Sequence, residues 1–234
     1  MNTNKVALFC TMVLVLWVIL PATSMAAIIY SSFGAGDSYN GTTGVAEAGT
    51  STTANQIVAL EFTNSTGEDM YLTQIDLADS FVSGDNSMIL NLYANNAGVP
   101  GTVLESWVVS SLPDLGTCCT VETVHDSAGV VLSNGASYFL APVPDSTTVE
   151  AWNWNSIGAS GLDAFSTDGG VTWTAHPIAI TGAFDVLGTP TPEPPAALLV
   201  GAGMFGMIAL RALGCTGGSK PPMRADQRLY AFNS

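Results

Sequence analysis

The sequence predicts an all-β protein: a single antiparallel β-sandwich flanked by an N-terminal signal helix and a C-terminal transmembrane helix. Three observations carry this reading. Short runs of β-branched and aromatic residues recur between residues 27 and 187, separated by Gly, Asn, Asp, Pro and Ser clusters. No part of that interval shows helical periodicity, and the long unbroken apolar runs lie at the two ends of the chain.

Residues 1–26 follow the secretory pattern. Lys5 precedes an apolar run over residues 6–20, Pro21 breaks it, and the small residues Ser24 and Ala26 mark cleavage after Ala26. The run, about 15 residues, is shorter than the roughly 20 that a spanning helix needs. The body, residues 27–188, has the length of one domain and can bury a core. Strands are expected at 27–33, 56–63, 71–78, 88–94, 103–110, 121–124, 130–132, 137–143, 147–154, 171–174 and 178–186. Within the second run Val58, Leu60 and Phe62 alternate with Ala59, Glu61 and Thr63, which predicts half-buried faces. Residues 95–101 read as a loop, and the Gly/Thr/Ser-rich stretch 34–55 as a long surface loop or an edge excursion.

After the body, residues 189–195 form a stiff proline-rich stalk. Residues 196–210 carry no charge and cover about 22 Å. They approach the roughly 30 Å of a hydrocarbon core once Ala212 and Leu213 are added and Arg211 snorkels. A transmembrane helix is therefore expected over 196–213, with a small-residue face at Gly201, Ala202, Gly203 and Gly206 and a basic cytoplasmic tail over 214–234. The five bases are Lys5, Arg211, Lys220, Arg224 and Arg228. Residues 27–210 hold 18 of the 19 acids and none of the bases, a net charge of −18. A base-free body cannot replace the counterions of nucleic acid, so DNA and RNA are excluded as partners. It also lacks the lysine or arginine needed for phosphate clamps and Schiff bases. All the bases fall on the cytoplasmic side if the body is outside, as the positive-inside rule requires.

Pro192, Glu193 and Pro194, followed by the Gly-rich apolar helix and Arg211, resemble the PEP-CTERM sorting signal of Gram-negative bacteria. That resemblance implies an exosortase, a membrane cysteine transpeptidase, as partner beside the export machinery. It also implies delivery to the cell surface or the extracellular polysaccharide matrix. The chain departs from the family pattern in having one Arg after the helix and then 23 further residues with dispersed bases. A processed protein and one that stays anchored by its helix both remain open. Residues 71–107, with Leu-Asn-Leu-Tyr-Ala-Asn-Asn-Ala-Gly-Val-Pro-Gly at 90–101, resemble "choice-of-anchor" extracellular domains. This likeness extends through 152–154 to 184–188 and implies a jelly-roll or sandwich fold without known catalysis.

Several residues are candidates for chemistry. Ser166, Asp168, Gly170 and Trp173 fit the Asp-box turn S-x-D-x-G-x-T-W, in which the carboxylate accepts backbone N–H bonds and the tryptophan packs underneath. Sialidase propellers repeat this turn, but one copy in an arginine-free body does not build their site. Cys118 and Cys119 are candidates for a disulfide, with inert thiols or a soft-metal site with His125 as alternatives. Trp152 and Trp154 fall on one face of an expected strand and, with Trp107 and Trp173, form a candidate sugar platform or core. The loops at Asp145 and at Gly84, Asp85 and Asn86 offer oxygen ligands for calcium, and the many carboxylates offer an acid and base pair for glycoside hydrolysis. No motif calls for a cofactor, a resident metal or a catalytic residue. The expected protein is an exported, non-enzymatic surface protein, with a carbohydrate-binding module and a polysaccharide hydrolase as alternatives.

Overall fold

The computed structural model of the chain describes residues 25–178 and 180–192. Residues 1–24 of the expected signal segment, Glu193, Pro194, Arg211, the expected helix 196–213 and the expected tail 214–234 lie outside the described residues. The chain divides into two units, Met1–Thr191 and Pro192–Ser234. No helix among the described residues is long and apolar enough to cross a membrane.

All the regular elements of the described body are strands. They are β1 (Ala27–Ser31), β2 (Tyr39–Ala48), β3 (Ile57–Thr63), β4 (Met70–Leu77), β5 (Asp79–Ser83), β6 (Ser87–Asn96), β7 (Val99–Ser110), β8 (Glu122–His125), β9 (Val131–Leu132), β10 (Ser137–Pro144), β11 (Val149–Asn155), β12 (Gly161–Ser166), β13 (Thr174–Ile178) and β14 (Phe184–Pro190). Every ladder between them is antiparallel. One sheet runs β1-β14-β4-β8, with β9 also on β4. The second runs β13-β12-β3-β10-β6-β7, and the third is β2-β11-β5.

Burial follows from the two-residue period of a strand. On β3, Val58, Leu60 and Phe62 enter the main core beside Leu72, Ile75, Leu77, Phe184 and Val186 of the first sheet. An aromatic cluster joins all three sheets there. Phe184 lies 4.7 Å from Tyr30, 6.1 Å from Phe62 and 5.4 Å from Trp152, ring centre to ring centre. The opposite face of the second sheet is covered as well: Ile57 and Ala59 of β3 join Tyr93, Phe139, Ala141 and Ala164 in a separate core. The expected half-buried alternation therefore holds only toward the end of β3, where Glu61 is half-buried and Thr63 exposed.

Three strands arise outside every expected run, and a fourth, β13, meets the expected runs 171–174 and 178–186 only at its end residues, leaving residues 171–173 in the turn before it. β2 occupies the Gly/Thr/Ser-rich stretch, β5 follows β4 after the single residue Ala78, and β12 forms at residues 161–166. The expected loop at 95–101 is a two-residue hairpin connection instead. Ala97 and Gly98, at φ of 55° and 89°, adopt the left-handed conformations that tight hairpin turns require. The apolar run 178–186 is interrupted, because β13 ends at Ile178 and β14 begins only at Phe184.

Candidate functional site

The third sheet carries three carboxylates on one face. Glu47 of β2 stands directly opposite Glu150 of β11, and Asp79 of β5 stands opposite Trp152 of β11. Cross-strand partners share a face, and so do residues two apart on a strand, so Glu47, Glu150, Trp152 and Asp79 all project the same way. That way is inward, since Trp152 belongs to the main core. Glu47, Asp79 and Glu150 are each 0% exposed.

Their hydrogen bonds are few. The Val58 N–H donates to Glu47 Oε1 at 3.2 Å, and the Ser80 N–H to Asp79 Oδ1 at 2.7 Å. Glu47 Oε2, Asp79 Oδ2 and both oxygens of Glu150 are buried without a partner. One oxygen from each residue lies within 4.8 Å of the other two, and no other group of three or more His, Cys, Asp or Glu converges in this way among the described residues. Removing a carboxylate from water costs several kcal/mol unless something meets its charge, and neither Lys nor Arg occurs between residues 27 and 210. Burial, reinforced by Asp79 and Glu150, holds the Glu47 carboxyl well above the carboxylate range. Burial and the charges of Asp79 and Asp145 do the same to Glu150. Burial pushes Asp79 up to about 8, with the Ser80 N–H opposing and Glu122 adding to the rise.

Beside this cluster is a cavity of about 250 Å³ lined by Val45, Gln56, Val58, Asp163, Phe165 and His176. Val58 is common to both, since it forms part of the cavity wall and its N–H holds Glu47. On the cavity wall His176 Nδ1 lies 3.2 Å from Asp163 Oδ1, and burial raises the Asp163 carboxyl while His176 opposes the rise.

The residues singled out from the sequence lie elsewhere, apart from Trp152. Trp152 is fully buried and its indole N–H donates to the Ala183 carbonyl at 3.1 Å. It therefore has no free face for a sugar ring, and of the two expected fates, platform or core, Trp152 takes the core. Trp154 falls where the β11/β2 register shifts, so it does not simply repeat the facing of Trp152. Trp154, Trp107 and Trp173 are each half-buried, and no tryptophan among the described residues is exposed. Trp107 donates to the His125 carbonyl, and Trp173 packs edge-on against Tyr93 at 5.9 Å.

The Asp-box segment is a closed turn. Asp168 Oδ1 accepts from Ser166 Oγ and from the N–H groups of Val171 and Thr172, and Oδ2 accepts from Thr172 Oγ1. Gly169 and Gly170 supply φ of 75° and 86°. Cys118 and Cys119 are exposed and disulfide-bonded to each other. Asp85 Oδ2 accepts from the Thr147 hydroxyl, and neither Asp85 nor Asp145 joins a cluster of three acids among the described residues. Ala26 is exposed just before β1, and Pro192 is exposed just after Thr191, whose N–H donates to the Asp69 carbonyl.

Sequence reasoning missed Glu47 and Asp79, because the strands that carry them were not expected. One signal was present: on the expected strand 147–154, Glu150 shares a face with Trp152, which sets an acid on whichever face the indole buries. Fold and site together define an all-β antiparallel protein with a buried carboxylate triad and no cationic side chain beside it. The chain matches no family model, no curated protein and no solved structure.

Proposed function

We propose that the chain is an exported, non-enzymatic protein of the bacterial envelope or extracellular polysaccharide matrix. In this reading a signal peptide delivers it, and a PEP-CTERM-like tail either anchors it or is processed by an exosortase. The carrying observation is the partition of charge: all five bases lie outside residues 27–210, beside the two apolar terminal runs, while that interval holds 18 of the 19 acids. The body is then a single β-sandwich of jelly-roll type, a reading supported by the core that side chains of the first and second sheets share. The non-enzymatic reading is supported by the full burial of the converging carboxylates Glu47, Asp79 and Glu150, which no polysaccharide chain reaches. The burial of Trp152 weighs against the carbohydrate-binding alternative.

The test is intact-mass measurement of the full chain, with membrane fractionation, from hosts with and without an exosortase. Loss of the mass beyond the Pro192-Glu193-Pro194 motif in the exosortase host alone is the expected result. A chain that keeps its tail in both hosts would sink the sorting reading and leave a simple membrane anchor.

A further inference from the structure

We infer that Glu47, Asp79 and Glu150 form an interior site for one divalent cation of the calcium class, which ties the three strands of the third sheet together. This stands apart from the sorting reading and needs neither the signal segment nor the tail.

The donor set argues for a hard cation. It is made entirely of carboxylate oxygens, which suit calcium, magnesium or manganese rather than the metals that favour nitrogen or sulfur. Four of those oxygens are buried and unpartnered: Glu47 Oε2, Asp79 Oδ2 and the two of Glu150. Two ligands opposite each other across a calcium ion stand about 4.6–5.2 Å apart, given bonds of 2.3–2.6 Å. Oxygens that all lie within 4.8 Å of one another can therefore share a single ion. Between calcium and magnesium the burial decides. Magnesium gives up its waters reluctantly and keeps several, whereas calcium accepts irregular sets of protein oxygens, including a carboxylate that binds through both of its atoms. Glu150 presents such a carboxylate.

The backbone contacts also favour a ligand. The Val58 and Ser80 N–H groups each occupy one oxygen of Glu47 and Asp79, which fixes those carboxylates and leaves the second oxygen of each free. Metal-binding carboxylates are commonly oriented by such bonds from the surrounding shell. A base-free body contains no lysine or arginine to take the ion's place.

The test uses the full chain in mild detergent, refolded from guanidinium in calcium or in a chelator. One calcium per chain by elemental analysis is expected, with a melting temperature higher by roughly 5 °C or more than in chelator. Terbium should displace the calcium and give luminescence excited through tryptophan, since Trp152 projects from the same face of the third sheet as the three carboxylates. Glu150→Gln should weaken calcium binding at least about tenfold and remove most of the melting shift. Glu47→Gln serves as a second variant should Glu150→Gln fail to fold, and the terbium measurement on the unaltered chain needs no variant at all. No bound ion, with equal melting in calcium and chelator, would overturn the assignment. An ion and a melting shift that persist in both glutamine variants would overturn it too, by placing the ion elsewhere.

Discussion

At the scale of single residues, Asp168 shows what an exposed carboxylate does for this fold. It closes the turn after β12, and its own carboxyl is drawn down from 3.8 to about 2, first by the Thr172 hydroxyl and N–H and then by the Ser166 hydroxyl. A carboxyl with a depressed folded-state pKa contributes its stability above its unfolded value and loses it as pH falls through the folded one. The Asp168 contribution is therefore complete above about pH 4 and fades toward about pH 2. Thermal melts of Asp168→Asn across that window should show a flatter acid limb than the parent, and a parallel limb would mean that the turn is held by other bonds. Trp152 sets the opposite case. Trp152→Ala would empty the junction of the three sheets and should cost about 3–5 kcal/mol by denaturant unfolding. Retention of any polysaccharide affinity by the folded fraction is expected, because the indole does not reach the surface. A specific loss of that affinity at unchanged stability would restore the platform reading.

At the scale of strands, composition revealed those whose side chains pack densely and concealed those that pack by absence. β3, β4, β6 and β10 are rich in Ile, Leu, Val and aromatics and lie within an expected run apart from a residue or two at their ends. β2 reads Tyr-Asn-Gly-Thr-Thr-Gly-Val-Ala-Glu-Ala, turn chemistry by any local measure. It is a strand because Gly44 allows its backbone to lie tight against that of β11, where a Cβ would strike the Trp152 carbonyl. The tertiary contact overrides the local preference. Glu47 was lost with that strand and Asp79 with β5, so two of the three members of the buried site stood in stretches that local chemistry assigns to loops. The turn at Asp168 was legible for the opposite reason, since all its bonds are made within seven residues. Another strand matters for its edge. β7 is the terminal strand of the second sheet and spans 12 residues. It exposes Val108, at 78%, with the partly exposed Ile89 as its cross-strand partner. A long apolar edge invites pairing with another chain. Val108→Lys should leave unfolding free energy within about 0.5 kcal/mol of the parent and lower self-association in light scattering. Equal scattering by the two proteins would clear this edge.

For the whole molecule, electrostatics is a problem of unmatched sign. Among the described residues the one pairing of a carboxylate with a group able to carry positive charge is that of Asp163 with His176. The other acids are solvated, held in their charged form by hydrogen bonds such as those of Asp168, or buried with raised pKa values such as Glu47 and Glu150. A fold of this kind gains nothing from lysine or arginine bridges and owes its cohesion to apolar contact and ladder bonds. Composition shows the shortage of bases at once, yet not where it matters, because that depends on which acids three separate strands carry into the interior.

The pairing of β1 with β14 has a mechanical consequence. Ala27 lies opposite Gly188, so the first strand starts and the last strand ends at the same end of the first sheet. β14 is flanked by β1 on one side and β4 on the other. A lengthwise pull on Pro190 would thus meet the hydrogen bonds of both ladders loaded in shear together, rather than peeled apart one at a time. A strand so placed is a firm point from which to suspend a domain.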